Sequence, residues 1–209
     1  MFFLKSQSNS KGGTVTRSNS LCFLVSIFVL LATACGTGAT VDSVSLRSEP
    51  AELSQEEIIE ALNAKFLNCP GLGISGSLRN QFESVVLGED KVLNDHSTGL
   101  MWQQAEPDTR LSWKEAEAYI AQVNADGFAG FSDWRLPTVE ELASLLTSSQ
   151  NGDFYISDTF EKTGFLGTWT SDIAKDAVGG AWFVSFMDGK PQDGNRLAGL
   201  GHARLVRTR

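Results

Sequence analysis

Oxygen-bearing side chains crowd two late stretches of this chain. Asp188, Asp193 and Asn195 share one, and Asp172 and Asp176 share another. Calcium takes several oxygen ligands from flexible loops, so Asp188, Asp193 and Asn195 are the residues to consider for it. No EF-hand spacing accompanies them, and Asp or Asn beside Gly is also ordinary turn chemistry. No other cofactor is indicated. The only histidines are His96 and His202, and neither H-E-x-x-H nor clustered cysteine accompanies them. A transition-metal centre is therefore not expected, and hydrogen-bonding roles are. No Ser-His-Asp set and no paired acid and base stand out, so no catalytic residue is nominated.

The densest mixture of charge is Asp133-Trp134-Arg135-Leu136-Pro137-Thr138-Val139-Glu140-Glu141-Leu142. The Arg135 fork is suited to an anion. Architecture accounts for the same residues. Leu136 precedes proline and is pushed toward extended geometry. Thr138 and Glu141 form a Thr-x-x-Glu capping box that opens a helix. Trp134 and Leu136 alternate with Asp133 and Arg135, as on a strand with one apolar face. Arg135 is expected to tie down carbonyls or Asp133 beneath the helix. Asp133 through Thr138, with Glu141, therefore count as a structural motif.

Gly71-Leu72-Gly73-Ile74-Ser75-Gly76 spells G-x-G-x-x-G. A dinucleotide loop must follow a strand and open a helix, whereas this one follows a helix. It reads as a flexible glycine loop. Trp102, Trp113, Trp134, Trp169 and Trp182 could stack on sugars, but their place on regular elements predicts core packing.

The elements that hold these residues follow from periodicity. Ser54 and Glu57 open a helix with Ile58, Ile59, Leu62 and Phe66 on one apolar stripe, ended by Asn68, Pro70 and Gly71. Strands are expected near 82–87, 91–93 and 99–103. Ser112 and Glu115 cap a second helix reaching about Asn124, and Val139 to Leu146 forms a third. The last part is β-like: Thr168 to Ser171, Ala181 to Met187, a turn at Asp188-Gly189, and Ala203 to Arg207. Both faces of 181–187 are apolar, which suits a central strand. Pro191 to Gly201 reads as irregular.

The chain has 209 residues, 17 basic and 25 acidic. Its first 34 residues carry Lys5, Lys11 and Arg17 and no acid, so the net charge falls from −8 to −11 without them. Such an acidic domain is a poor general partner for nucleic acid. The basic residues precede the apolar run Leu21 to Ala34, the pattern of an export signal. Ala32-Thr33-Ala34 before Cys35 resembles a bacterial lipobox with Cys35 as the lipidated residue, its leucine one place further out than usual. Ordinary secretion at the same bond is the alternative. Gly36 in place of aspartate favours the outer membrane by that resemblance, with a periplasmic or secreted protein as the alternative. The resulting division is 1–34 signal peptide, 35–53 lipid anchor and tether, 54–78 helix and glycine loop preceding the core, and 79–209 principal domain. If Cys35 is lipidated, Cys69 is the one remaining thiol and is expected to be buried.

An ordered series of pieces resembles the Lcl C-terminal domain family, named after a collagen-like adhesin. It comprises Val92-Leu93-Asn94-Asp95, Thr98-Gly99-Leu100-Met101-Trp102-Gln103, Ser112-Trp113-Lys114-Glu115-Ala116 and Ser132 to Thr138 with Glu141-Leu142. Trp169-Thr170-Ser171, Ala181-Trp182-Phe183-Val184 and Arg204-Leu205-Val206-Arg207 close it. The Arg135-Leu136-Pro137-Thr138 core also resembles the formylglycine-generating enzyme superfamily. Both resemblances imply an α+β, C-type-lectin-like fold: two main helices on small antiparallel sheets with a long irregular loop region. The enzymes of that superfamily use a late cysteine pair, and no cysteine follows Cys69 here. The expectation is a non-enzymatic, membrane-anchored module that binds a glycan or an envelope protein through the irregular parts of Gln150 to Gly201. A structural subunit of the envelope, or an unrecognised enzyme, is the alternative.

Overall fold

The computed structural model describes residues 43–161, 167–175, 180–194 and 199–209. The export-signal residues, Cys35, Asp176 and Asn195 lie outside them. Each predicted capping box opens a helix: α1 (Gln55–Ala64) after Ser54, α2 (Trp113–Asp126) after Ser112, and α3 (Val139–Ala143) after Thr138. In each, the cap hydroxyl accepts from the third residue's N–H while that residue's carboxylate accepts the cap N–H. Gly127 ends α2 at φ 66°, a left-handed cap that favours glycine. α3 is shorter than its apolar pattern predicts, yet Leu145 and Leu146 beyond it are still buried.

Eight strands among the described residues form two sheets. They are β1 (Glu52–Leu53), β2 (Phe82–Leu87), β3 (Asp90–Asp95), β4 (Leu100–Gln103), β5 (Thr168–Ala174), β6 (Ala181–Ser185), β7 (Lys190–Asp193) and β8 (Val206–Thr208). One sheet runs β2-β3-β4-β8 and is antiparallel throughout. The other runs β1-β5-β6-β7, with β6 central and buried along its length. The architecture is α+β, with three helices rather than two.

Four expectations are corrected. The second sheet is mixed, because β1 pairs parallel with β5. The stretch supplying β1 falls within the expected tether, but its later part is bound in: Ile173 N–H donates to Ala51 O, and Lys175 N–H to Leu53 O. Two residues are too few to show alternation, so no pattern could mark this strand. Pro191 to Gly201 is expected to be irregular, yet Pro191 to Asp193 belong to β7; β7 is an edge strand, where proline's missing N–H is tolerated. Finally, α1 and the glycine loop are part of the core rather than a preamble. Ile58, Leu62, Leu67 and Cys69 pack in one cluster with Leu142, Trp182 and Val184.

The glycine loop is closely packed. A Cβ at Gly71 would lie 2.2 Å from Asp188 O, and one at Gly76 would lie 2.1 Å from Phe66 O. These glycines let backbone approach backbone. A second cluster joins Val92, Ala116, Trp134, Trp169, Phe183 and Leu205. Trp102, Trp134, Trp169 and Trp182 are buried, as their positions predict, and Trp113 is half-buried with its indole N–H donating to Thr170 O at 2.8 Å. No helix among the described residues is long and apolar enough to cross a membrane.

Candidate functional site

The residues that looked most chemical in sequence are mostly committed to one another. Arg135 grips Glu141 with two bonds of 2.7 Å and also donates to Leu136 O. Its carboxylate partner is thus the capping-box glutamate, which is buried, rather than Asp133. Asp133 instead accepts from Arg207 at 2.7 and 3.1 Å, and that guanidinium holds its carboxyl below the usual range. Trp134, Leu136, Pro137 and Thr138 are buried around these pairs.

Asp172, raised above as an oxygen donor, is fully buried and already saturated. Arg47 donates to both its oxygens at 2.8 Å, Ala51 N–H to one at 2.8 Å, and Val139 N–H to the other at 2.7 Å. Its carboxylate raises the Arg47 guanidinium above its ordinary value through these bonds. The same Arg47 reaches Glu140 at 3.1 Å. One buried anion therefore joins the N-terminal segment, the start of α3 and β5.

Asp188 and Asp193 are not brought together. Asp188 lies in the β6–β7 turn, where it accepts from Ser185 and Gln192 at 2.9 and 2.7 Å. Asp193 stands at the far end of β7, opposite Trp182 of β6. No group of three or more His, Cys, Asp or Glu able to hold a metal occurs among the described residues. His96 is exposed and meets Glu83 at 3.0 Å and Arg209 at 3.2 Å. His202 is buried. Cys69 is buried, as expected; burial pushes its thiol up to about 11, so it stays protonated and unreactive at neutral pH.

The irregular region expected to carry the ligand surface is partly core. Ile156 and Phe160 are buried, with Phe154 and Tyr155 packed against the same cluster. Glu161 is the residue of this region that opens onto a larger cleft, of about 370 Å³. That cleft lies between β3, the segment after β4, and α2. Tyr119 and Phe128 supply aromatic rings to its wall, Gln103 an amide, and Glu89, Glu106 and Glu161 carboxylates.

Arg204 lies behind this lining and braces it from within. It is 1% exposed, a burial that charged residues reach only when paired. Its fork donates to the carbonyls of Gln103 and Glu161 at 3.0 Å each and to that of Gln104. Its Nε lies 3.3 Å from Glu106, and Phe160 stacks under the guanidinium at 4.7 Å. Burial lowers Arg204 from its ordinary value, but an arginine stays charged regardless. Glu106 in turn accepts from the Thr168 hydroxyl at 2.7 Å. On the wall above, the Tyr119 hydroxyl donates to the Gln103 amide oxygen at 3.3 Å, and burial raises its phenol. One cation thus fixes the backbone on both sides of an open, polar and aromatic cleft.

Sequence reasoning missed this site. Arg204 meets residues about a hundred positions earlier, and nothing local distinguishes it from a surface arginine. It falls in the expected strand Ala203 to Arg207, but β8 begins only at Val206 and Arg204 lies ahead of it.

A family model described as the Lcl C-terminal domain matches residues 91–207. The match takes in Gln103, Glu106, Tyr119, Phe128, Glu161 and Arg204. No curated protein and no solved structure matches the chain.

Proposed function

The chain belongs to the Lcl C-terminal domain family, and on that premise we propose a non-enzymatic recognition module displayed on a bacterial cell envelope. The observation that carries the reading is the cleft whose lining residues Gln103 and Glu161 are held by Arg204. Ring faces from Tyr119 and Phe128 beside carboxylate and amide groups are the chemistry that holds a sugar: C–H faces against rings, hydroxyls against oxygen acceptors. The carboxylates outnumber the one lysine, Lys91, which itself pairs with Glu161 at 3.3 Å. The cleft therefore suits a neutral or amine-bearing glycan, or a basic segment of an envelope protein, better than a sulfated one. Its openness and the internal pairing of its acids suit binding rather than turnover.

The envelope setting rests on sequence. A basic and then apolar N-terminus ending in Ala32-Thr33-Ala34-Cys35 supports export and lipid attachment at Cys35, with the outer membrane as the destination. The fold layout is of the C-type-lectin-like kind on the same family reasoning.

A glycan array and an envelope pull-down, run with wild type and Tyr119→Ala, test the binding role. Neutral or amino-sugar ligands, or a basic envelope protein, lost on substitution are the expected result. Binding confined to sulfated glycans, or indifferent to Tyr119, would overturn the assignment to this cleft. Intact mass of membrane-extracted protein tests the anchor: an added diacylglyceryl group at Cys35 is expected, and a bare thiol contradicts it.

A further inference from the structure

Phe66 stands outside the core that its stripe predicts. It is 64% exposed and sits at φ 55°, a left-handed conformation that disfavours a bulky side chain. The backbone holds it there firmly. Phe66 N–H donates to Asn63 O at 3.1 Å, and Phe66 O accepts from Ser77 and Leu78 at 2.9 and 3.1 Å. Gly76 packs against that same carbonyl. The phenyl ring is thus presented outward by an ordered turn.

Its surroundings carry the opposite sign to the protein. A cleft of about 260 Å³ beside Phe66 is lined by Val44, Lys65, Leu78 and Arg79 among others, and none of its lining residues is acidic. A second cleft shares Leu78 and Arg79 and is likewise free of lining carboxylates. Asp95 lies beneath, fully buried, and its oxygens accept from Asn80, Gln81, Ser97 and Thr98. Lys65 donates to Ser45 O and Arg79 to Leu78 O, each through one of several N–H groups, so both keep donors for a ligand. On a chain whose residues after 34 carry a net −11, this is a segregated basic and apolar face.

Chain geometry says what lies opposite it. Val44 lines the cleft, and it is nine residues from Cys35. Nine residues reach at most ~32 Å fully extended, less than the ~40 Å span of a domain this size. A lipid on Cys35 would therefore keep the Val44 side near the bilayer.

We propose that this face docks on an anionic membrane surface, with Phe66 entering the headgroup layer and Lys65 and Arg79 pairing with lipid phosphates. An exposed aromatic flanked by cations is the arrangement that binds such an interface. The proposal rests on the anchored reading only for proximity.

The test uses the processed chain, lipidated at Cys35 and free of Cys22, reconstituted into phosphatidylcholine–phosphatidylglycerol vesicles. Phe66→Cys, and separately Val86→Cys as a control on exposed β2, carry an environment-sensitive dye, Cys69 being buried. Doxyl-labelled lipid should quench the dye at 66 several-fold more than at 86. Lys65→Glu with Arg79→Glu should reduce the preference for anionic vesicles by about tenfold. Equal quenching at the two positions, or no dependence on anionic lipid, overturns the proposal. Shielding of the dye at 66 without lipid quenching indicates a protein partner and overturns it as well. If intact mass shows Cys35 unlipidated, vesicle flotation of the processed chain on a Cys35→Ser background asks the docking question separately. Flotation with anionic lipid then supports docking although the anchor reading has failed, and absence of flotation rejects docking.

Discussion

Asp172 and Arg204 are both buried charges, and they are satisfied in opposite ways. Asp172 is an anion closed on all sides. Each of its oxygens accepts two bonds, from Arg47 and from a backbone N–H of another element. A carboxylate offers about four lone-pair sites, so nothing remains for a ligand. Arg204 is a cation that gathers carbonyls from Gln103, Gln104 and Glu161, and of these Gln103 and Glu161 line an open cleft. The first charge fastens segments together; the second shapes a surface. Burial alone does not separate the two roles, and what borders the partners does.

Substitutions at these two centres should separate stability from binding. Asp172→Ala removes Arg47's two-oxygen partner, leaving it Glu140, and strands two backbone donors, so we expect a loss of about 3–5 kcal/mol in urea unfolding. Ligand affinity per folded molecule should be unchanged. A loss of affinity without a loss of stability would reverse the roles assigned here. Arg204→Met keeps volume but leaves Glu106 without its cation, and should cost about 3 kcal/mol. Unlike the first, it should also abolish ligand capture by whatever protein stays folded.

Arg135→Ala extends the comparison to the motif that dominates the sequence. Glu141 loses its bidentate partner but keeps the Thr138 N–H, so a loss of about 2 kcal/mol is expected, with binding intact. The smallest effect is alkaline. Cys69 has a raised folded value of about 11 against an ordinary 9.0. Its neutral form is the native one, so its contribution is complete below pH 9 and fades as pH climbs toward 11. By pH 10 wild type should lose about 1 kcal/mol more than Cys69→Ala does, relative to each protein's own stability at pH 8. Parallel pH profiles would show that the thiol does not titrate there.

The same contrast explains what the sequence made legible. Capping boxes, the Leu136-Pro137 junction and strands β2 to β6 depend on neighbours within a few residues, and they are legible in the sequence to within their ends. β1 is too short for alternation, and β7 hides behind Pro191, whose tolerance depends on its being at a sheet edge. Arg47 and Arg204 looked like surface cations because their partners lie about a hundred positions away. The cleft is invisible for that reason: its wall residues come from β3, β4, α2 and Glu161, and no one stretch carries its pattern. The irregular region after residue 150 drew attention by its glycines, yet Ile156 and Phe160 pack inward. Phe66 shows the reverse error, since helical spacing placed inward a ring that a left-handed turn sends outward.

The central claim is that recognition resides in the cleft braced by Arg204 and that the Asp133–Glu141 motif is scaffold. The most direct measurement is the affinity of wild type, Tyr119→Ala and Arg135→Ala for the ligand captured from the glycan array or envelope pull-down, by calorimetry at matched folded fraction. The account predicts that Tyr119→Ala weakens binding by about thirtyfold, as for an aromatic anchor, while Arg135→Ala binds like wild type. Wild-type affinity in Tyr119→Ala, or an equal loss in Arg135→Ala, would contradict it.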